Sequence, residues 1–365
     1  MNKLNLFCPI NGTGYGITSA NIAMQLNELN LDVALFVLGQ GVMLQDPRER
    51  ETMLKMLNSS RSYDPHAPCL KIWHQNDLGP RIGVGDYYVF PFFEADKLHD
   101  FEVRGLNHTT GVFTASKWGK KVLENNGVKV PVFVAPLGVN TKIFNNEESL
   151  KIKTDKYVFL HVGKWEKRKG QDFLLQAFEK AFSPDDNVEL WLVPHNPFLS
   201  PQETNQWLNL VNNNALSDKI KVYNRLPTQQ DLAEVMRESD CGIFMSRAEG
   251  WNNEIPEMMA LNKPIITTNY SAHTEYCNKD NSFLVEINET EVANDGKWFH
   301  GFGNWAKLGK EQLEQTVEHM KFVYNNKVRS NEKGLETAQY YSWLNTASII
   351  NNTLTDRKSY NNATA

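Results

Sequence analysis

Short apolar runs alternate with longer stretches of helical periodicity along most of the chain. Such alternation is typical of βαβ units and predicts parallel sheets covered by helices. In the first half of the chain, the predicted strands are Leu4–Ile10, Asp32–Leu38, Leu70–Trp73, Tyr87–Phe93, Gly111–Ala115 and Val132–Ala135. In the second half they are Tyr157–Val162, Glu189–Val193, Ile220–Tyr223, Cys241–Met245, Pro264–Thr268 and Phe283–Val285.

A polar segment without apolar periodicity, residues 145–155, separates the two sets of predicted strands. We predict that it is a linker between two α/β domains. The length of 365 residues fits two domains, because it is long for one hydrophobic core. Residues after Asp356 are polar, and we expect this tail to fray.

A glycine-rich loop, Asn11-Gly-Thr-Gly14-Tyr-Gly16, follows the first predicted strand and leads into a helix predicted from about Thr18. Glycines let a backbone approach a ligand, and the N–H groups of a helix start favour an anion. A dinucleotide site would need a carboxylate where the second strand ends, but that strand ends Val37-Leu-Gly-Gln40. The missing carboxylate therefore argues against NAD binding. A loop whose glycines serve only packing, without a ligand, remains an alternative.

Composition narrows the class of protein. Hydrophobic residues make up 41% and charged residues 22% of the chain, as in an ordinary globular protein. A net charge of −5 argues against a nucleic-acid partner. Four widely spaced cysteines without a C-x-x-C pair predict reduced thiols. We find no apolar run long enough for a transmembrane segment and no signal-peptide pattern, so we expect a cytoplasmic protein.

An acidic segment, Glu249-Gly-Trp-Asn-Asn-Glu-Ile-Pro-Glu257, is the most informative part of the sequence. It joins the apolar run Cys241–Ser246 to a helical pattern that Pro256 can open. In an open α/β sheet, ligands bind beyond the carboxyl ends of the strands, so Glu249 and Glu257 can both face such a ligand. The alternative is a helix N-terminus whose acidic first turn only complements the helix dipole.

The residues around this segment resemble the donor-site signature of family-four retaining glycosyltransferases with the GT-B fold. The resemblance runs through Asp240-Cys-Gly-Ile-Phe-Met-Ser-Arg-Ala-Glu249-Gly250-Trp, Glu257-Met-Met-Ala-Leu-Asn-Lys-Pro264 and Glu275. It implies an α/β fold of two Rossmann-like domains with parallel sheets facing a central cleft. In that family's E-x7-E motif, the first glutamate lies against the donor sugar and the second binds the ribose hydroxyls. These roles fall on Glu249 and Glu257.

An upstream run, His161-Val-Gly163-Lys164-Trp-Glu-Lys-Arg-Lys169-Gly170, resembles the G-R-x4-K-G segment of the same family. There the two cations hold the donor diphosphate, which gives Lys164 and Lys169 that role. The alternative is a solvated cationic turn, since we expect Glu166, Lys167 and Arg168 to be at least partly exposed.

The resemblance also implies a domain plan. Residues 1–147 form the acceptor-side domain, 155–338 bind the nucleotide sugar, and 339–365 hold a last helix that crosses back to the first domain, followed by the frayed tail. The glycine loop with Gly14 then faces the donor phosphate.

Two groups in the first half are candidates for the acceptor side. Glu94 lies in Phe93-Glu94-Ala-Asp96, which resembles the E-x-D segment of a subgroup of the family; a solvated acidic loop is the alternative. His74 ends another strand and is a candidate for the family's active-site histidine, or else a hydrogen-bonded histidine at a strand end. The choice between His74 and Glu94 stays open.

Several residues depart from the family pattern. Lys164 stands where arginine is usual, Asn252 replaces the commonest glycine, Asn253 an apolar residue, and Glu254 the usual proline. We expect Gly163 and the loop Gly250-Trp251-Asn252-Asn253 to bind the donor. Asp185-Asp186 is interpreted as a turn and not as a metal-binding DxD motif.

The sequence therefore predicts a retaining, metal-independent glycosyltransferase without a cofactor. Its partners are a nucleotide-sugar donor and an unidentified acceptor, which is a glycan, a lipid-linked molecule or a protein. The departures leave one alternative from another class, a catalytically silent nucleotide-sugar-binding protein.

Overall fold

The computed structural model describes residues 3–42, 47–146 and 155–355. Residues 147–154 of the predicted linker and the predicted frayed tail after Asp356 lie outside this part of the chain.

Twelve strands of the described residues form two parallel sheets. The strands are β1 (Lys3–Cys8), β2 (Asp32–Val37), β3 (Cys69–Lys71), β4 (Tyr87–Val89), β5 (Gly111–Thr114), β6 (Val132–Val134), β7 (Tyr157–Val162), β8 (Val188–Val193), β9 (Ile220–Val222), β10 (Cys241–Phe244), β11 (Ile265–Asn269) and β12 (Phe283–Glu286). The strand orders are β2-β1-β3-β4-β5-β6 and β12-β11-β10-β7-β8-β9. Each corresponds to one predicted strand, so the predicted α/β class is confirmed.

Helices follow most of these strands. They are α1 (Gly14–Glu28), α2 (Pro47–Ser59), α3 (Asp100–Asn107), α4 (Lys117–Asn125), α5 (Gln171–Ala181), α6 (Pro201–Asn212), α7 (Gln229–Glu238), α8 (Glu254–Ala260), α9 (Lys310–Asn325), α10 (Glu332–Tyr340) and α11 (Trp343–Thr355). None of the helices in the described ranges combines the length and the apolar character needed to cross a membrane.

The chain divides into two compact units. The first unit holds residues 1–93, 97–138 and 341–365, and the second holds residues 94–96 and 139–340. In the first unit, α11 packs against α1. Gly138 lies against the start of α11, since a Cβ there would be 2.0 Å from the Trp343 nitrogen. The Ser116 hydroxyl accepts a hydrogen bond from the Gly119 N–H at 3.0 Å and caps α4.

Each sheet is buried by its own apolar residues. All six residues of β7 are buried, which is typical of a central parallel strand covered on both faces. Phe159, Phe173 and Leu192 belong to the core of the second unit, and Val89, Leu106 and Val112 to a core of the first. The loops at the carboxyl ends of the strands are therefore held by a rigid base.

Several predicted boundaries are wrong, including the following three. The helix α1 begins at Gly14 and not near Thr18, because the Thr13 hydroxyl accepts a hydrogen bond from the Gly16 N–H. The strand β4 ends at Val89 and not at Phe93, since Pro91 has no N–H for the ladder. The helix α8 begins at Glu254, two residues before Pro256.

An antiparallel hairpin of the second unit is absent from the predicted strands. It consists of β13 (Thr290–Asn294) and β14 (His300–Ala306). Its sequence is polar and contains Gly296, Gly301 and Gly303, all with positive φ, so it lacks the regular alternation that predicts a strand.

Gly170 gives a stability prediction, because it joins a 3-10 turn, Lys167–Lys169, to α5 with a φ of 75°. A Cβ there would lie 1.9 Å from the Met245 carbonyl oxygen. We expect Gly170→Ala to lower the free energy of unfolding by about 3 kcal/mol, measured by urea unfolding.

Gly296 is the matched control. It has a φ of 74°, but a Cβ added there would meet nothing within 4 Å, so Gly296→Ala carries only the backbone cost of about 1 kcal/mol. Equal losses in the two variants would show that the contact with Met245 contributes nothing.

Candidate functional site

Three neighbouring strands of the second unit bring the candidate residues to one edge of the sheet. The strands β11, β10 and β7 are adjacent, so the segments that follow them meet there. These segments are residues 163–170 after β7, 245–253 after β10 and 270–275 after β11. Ligands of open α/β sheets bind at this edge.

Glu249 is the centre of the site and only 4% of its surface is exposed. Its Oε2 accepts a hydrogen bond from Arg168 Nη1 at 2.7 Å. Its Oε1 lies 2.7 Å from Lys169 Nζ and accepts a hydrogen bond from the Ser246 hydroxyl at 2.8 Å. The Glu249 N–H donates to the Ser271 hydroxyl at 2.9 Å, which fixes the backbone as well. The carboxylate is therefore held in one orientation by two cations and a hydroxyl.

A second carboxylate, Glu166, continues this arrangement. Its Oε2 accepts a hydrogen bond from Arg168 Nη2 at 2.8 Å, and its Oε1 lies 3.0 Å from Lys164 Nζ. Lys164 is the more accessible of the two candidate diphosphate lysines, with 42% of its side chain exposed against 8% for Lys169.

The expectation that Glu166 and Arg168 are exposed is wrong. They are 8% and 5% exposed, because each finds an oppositely charged partner inside the site. Lys167 is exposed as expected, and its Nζ donates to the Asn294 carbonyl of the hairpin at 3.1 Å.

The electrostatic balance keeps Glu249 ionised. Burial raises the pKa of Glu249, but Arg168 and Lys169 outweigh burial, and the net pKa is well below the usual range. Burial lowers the pKa of Lys169, yet Glu249 and Glu254 raise it above the usual value overall. Both groups of this ion pair are therefore charged at neutral pH.

Glu257 lies in the first two turns of α8 and has the opposite character. It is 8% exposed, and burial together with the nearby Glu254 raises its pKa well above the usual value. A buried carboxyl near a helix start that binds its proton tightly is suited to hydrogen bonding with neutral hydroxyl groups.

The loop between Glu249 and α8 is shaped by an unusual backbone. Asn252 has a φ of 80°, and asparagine tolerates this left-handed region better than most residues. Asn252 Nδ2 lies 3.1 Å from His273 Nε2, and the Tyr276 hydroxyl donates to the Trp251 and Asn252 carbonyls. Asparagine thus maintains a conformation for which the commoner glycine is suited.

Glu94 belongs to the second unit and lies beside the same cations. Its Oε1 is 3.7 Å from Arg168 Nη2, and 31% of its side chain is exposed. Burial raises the pKa of Glu94, and the Arg168 charge partly offsets this. Two residues later, Asp96 Oδ1 accepts a hydrogen bond from the Asn304 N–H at 2.6 Å.

His74 and Gly14 lie in the first unit. His74 is exposed, and its Nδ1 lies 3.5 Å from the hydroxyl of Tyr15. The Tyr15 hydroxyl also accepts a hydrogen bond from the Phe92 N–H at 2.9 Å. Gly14 is the first residue of α1 and is exposed. The segments after β1, β3 and β4 therefore meet at the carboxyl edge of the first sheet.

The remaining predicted residues lie around Glu249. Gly163 packs on Lys169, since a Cβ there would lie 3.2 Å from its Cδ. The other predicted donor-binding residues, Gly250, Trp251, Asn252 and Asn253, form the loop that leads from Glu249 to α8.

Sequence reasoning missed four polar residues of this site: Arg168, Ser246, Ser271 and His273. Ser246 and Ser271 follow β10 and β11 closely, and a polar residue just past a buried strand was the available signal. Among the described residues, no cluster of three or more His, Cys, Asp or Glu side chains is arranged to hold a metal ion. Asp185-Asp186 forms a turn as predicted, in which Asp186 Oδ2 accepts a hydrogen bond from the Ser183 N–H.

Comparison with known proteins gives a family match for the second unit. Residues 156–295 match the family model described as "Glycosyl transferases group 1". An uncharacterized glycosyltransferase of Methanocaldococcus jannaschii is 30% identical over 115 residues, which are 31% of this chain. The matched segment covers 26% of that relative.

Solved structures match almost the whole chain. Sucrose-phosphate synthase from Thermosynechococcus elongatus has a TM-score of 0.73 at 13% identity and covers 97% of this chain and 98% of its own. Anabaena HepE in complex with UDP-glucose has a TM-score of 0.67 at 16% identity, with coverages of 97% and 100%. The trehalose 6-phosphate synthase of Burkholderia multivorans has a TM-score of 0.69 at 11% identity, with coverages of 100% and 98%. These likenesses confirm the predicted GT-B fold.

Glu257 gives a prediction for the pH dependence of stability. Its raised pKa means that the folded protein binds this proton more tightly than the unfolded chain does, for which the usual value is 4.5. The resulting stability is complete below about pH 4 and is lost as the pH rises through the raised pKa. We therefore expect Glu257→Gln to be more stable than the wild type at about pH 8, by on the order of 1 kcal/mol in urea unfolding.

Glu249→Gln is the matched control with the opposite sign. The pKa of Glu249 is lowered, so its stabilisation is present above the usual value and is lost as the pH falls. We expect this variant to be less stable than the wild type by about 3–5 kcal/mol near neutral pH. A loss of similar size in both variants would contradict the raised pKa of Glu257.

Proposed function

We propose that this chain, a family-four-like glycosyltransferase with the GT-B fold, transfers a sugar from a nucleotide-diphosphate donor to an acceptor and retains the anomeric configuration. The observation that carries the proposal is the buried Glu249 flanked by Lys169, with Lys164 on the same edge of the sheet. The match of residues 156–295 to group 1 glycosyltransferases supports it.

Lys164 and Lys169 bind the diphosphate in this proposal. Breaking the anomeric C–O bond leaves negative charge on the phosphate, so fixed cations there lower the barrier. A charged hydrogen bond contributes about 1.5–3 kcal/mol, and each 1.4 kcal/mol or so is a tenfold change in rate. Lys169 is held beside Glu249 in its charged form, and Lys164 is partly open to solvent, which suits both to this task.

The two glutamates take different parts of the donor. Glu249 lies against the sugar as an ionised acceptor of hydrogen bonds from its hydroxyls. Glu257, whose pKa is raised by burial, hydrogen-bonds the ribose hydroxyls. Gly163 and the loop Gly250–Asn253 supply backbone around the phosphates. UDP-glucose is bound by the Anabaena HepE protein, which supports a nucleotide sugar as the ligand class here.

The candidates for the acceptor side are His74 and Glu94, while the glycine loop with Gly14 faces the donor phosphate. His74 and Gly14 lie at the carboxyl edge of the first sheet, and Glu94 lies beside Arg168 in the second unit. Which of His74 and Glu94 contacts the acceptor hydroxyl is decided by comparing His74→Ala and Glu94→Gln in donor hydrolysis and in transfer. The variant that loses transfer but retains hydrolysis identifies the acceptor-side residue.

The proposal includes no metal and a cytoplasmic location. Two lysines at the diphosphate supply the positive charge that a divalent cation otherwise carries. The four cysteines, Cys8, Cys69, Cys241 and Cys277, are buried and unpaired, which supports a reducing compartment. Unchanged activity after treatment with a chelator is the expected result for the metal-free reaction.

A catalytically silent nucleotide-sugar-binding protein is the second candidate. The observation behind it is that both lysines already pair with carboxylates, Glu166 and Glu249. Binding of a donor without hydrolysis or transfer above buffer background would favour this candidate.

The test of the proposed function begins with a panel of nucleotide sugars in a thermal-shift assay. A donor at 100 times its dissociation constant stabilises the protein by about 2.7 kcal/mol, which is readily seen. Proton NMR of the fresh product made from the donor thus selected should show the anomeric configuration of the donor. An inverted product would reject the retaining assignment.

Lys169 gives the kinetic prediction. Because phosphate charge grows as the bond breaks, Lys169 acts more strongly in the transition state than in the ground state. We expect Lys169→Ala to lower kcat by about 100-fold or more, while KM for the donor changes less. Lys164→Arg keeps the charge and restores the residue usual in the family, so it should retain most activity.

Lys180→Ala is the control for this series, since Lys180 is exposed at the end of α5. Steady-state kinetics of the wild type, Lys169→Ala, Lys164→Arg and Lys180→Ala tests the predicted role of the two lysines. A Lys169→Ala enzyme within about threefold of the control would indicate that Lys169 has no role in the reaction.

A further inference from the structure

The charged groups of the second unit form an unbroken chain of contacts through Arg168. Lys164 Nζ lies 3.0 Å from Glu166 Oε1, and Glu166 Oε2 accepts a hydrogen bond from Arg168 Nη2 at 2.8 Å. Arg168 Nη1 donates to Glu249 Oε2 at 2.7 Å, and Glu249 Oε1 lies 2.7 Å from Lys169 Nζ. The two lysines are thus the ends of the chain, and Arg168 is its middle.

Each carboxylate in this chain divides its two oxygens between different cations. One oxygen faces a lysine and the other faces Arg168, for Glu166 and for Glu249 alike. Arg168 also donates from Nη1 to the Ala248 carbonyl at 2.9 Å, which anchors the guanidinium to the loop after β10. Its two terminal nitrogens are therefore directed at two buried carboxylates by the backbone.

This division matters when an anion binds. A lysine that turns toward a phosphate leaves its carboxylate, and a buried carboxylate without a cation is strongly unfavourable. Glu249 and Glu166 are both below 10% exposed, so water replaces little of the lost interaction. With Arg168 in place, each carboxylate keeps one charged hydrogen bond from a terminal nitrogen of Arg168 after its lysine has left.

We propose that Arg168 is the resident counter-ion of Glu166 and Glu249, and that it thereby releases Lys164 and Lys169 to bind the diphosphate of the donor. This inference rests on the proposed function, in which these lysines hold the diphosphate. Arg168 is then a positioning residue: it touches neither phosphate nor sugar and acts through the two carboxylates.

Other ionisable groups also face these carboxylates and enter the test. Burial lowers the pKa of His161 and of His273 to about 4, so both imidazoles are neutral well above that pH. Glu94 is the third carboxylate beside Arg168. The charged and titratable neighbours are Arg168, Lys169, His161, His273 and Glu94 for Glu249, and Lys164, Arg168, Lys169 and Glu94 for Glu166.

The test is proton uptake on ligand binding, measured by titration calorimetry in two buffers of different ionisation enthalpy. UDP is the probe of proton uptake, at about pH 8, where its phosphates are fully ionised. Inorganic pyrophosphate, which still carries a proton at that pH, is used only to test whether a diphosphate binds without the base. We expect the wild type to bind without net proton uptake. Arg168→Gln should take up protons on binding, up to about one for each of the two carboxylates, and its affinity should fall as the pH rises, about tenfold per pH unit for each proton taken up.

Four further proteins make the result specific. Arg237→Gln removes another buried guanidinium of the same unit, which bonds Glu234 and the carbonyls of Ile143 and Asn145, and should match the wild type in proton uptake. Arg168→Lys keeps a charge but cannot serve both carboxylates, so its uptake should lie between those of the wild type and Arg168→Gln. It also serves as the test if Arg168→Gln fails to fold. Glu94→Gln, combined with each Arg168 variant, removes the third carboxylate from the proton count.

The outcomes separate the two proposals. If the wild type binds and both Arg168 variants bind without added proton uptake, the counter-ion role is wrong and the donor site stands. If the wild type binds neither UDP nor pyrophosphate, the donor site itself is wrong and the counter-ion role falls with it. A merely structural role for Arg168 would lower the melting temperature of the variants without changing the number of protons bound.

Discussion

The ion pairs of Glu249 organise the second unit of this protein. A carboxylate with 4% exposure is stable only if cations compensate it, and those cations come from the loop after β7. The same carboxylate fixes the loop after β10 through Ser246. Two segments far apart in sequence are thereby held at one edge of the sheet, and the positions of Lys164, Lys169 and the start of α8 follow from that.

The two glutamates of the acidic segment show how position decides chemistry. Glu249 faces Arg168 and Lys169, and its pKa is lowered; Glu257 is buried near Glu254, and its pKa is raised. Identical side chains eight positions apart thus have pKa values displaced in opposite directions. Two carboxyl groups that differ in their affinity for a proton can bind different parts of one ligand, which a pair of equal carboxylates would do less selectively.

Much of the fold could be predicted, because the sequences of buried parallel strands are continuous apolar runs. For example, β7 coincides with its predicted range, Tyr157–Val162. Strand ends and the β13–β14 hairpin could not be predicted, because proline and glycine residues interrupt the apolar pattern there. Glu249, Glu257 and the lysines were accessible through a resemblance. Arg168 was not, because a charge run usually faces water, and its partner Glu249 lies 81 positions away.

The backbone contact between the two loops has a consequence for altering this protein. Gly170 lies against the Met245 carbonyl, and the Arg247 N–H donates to the Arg168 carbonyl at 2.7 Å. The loops after β7 and β10 are therefore held together as one rigid body, although they are separate segments of the sequence. A chimera that imports either loop alone from a relative would bring a surface shaped for a different partner. Exchange of ligand preference by recombination should therefore succeed only when the loops after β7 and β10 are transferred together.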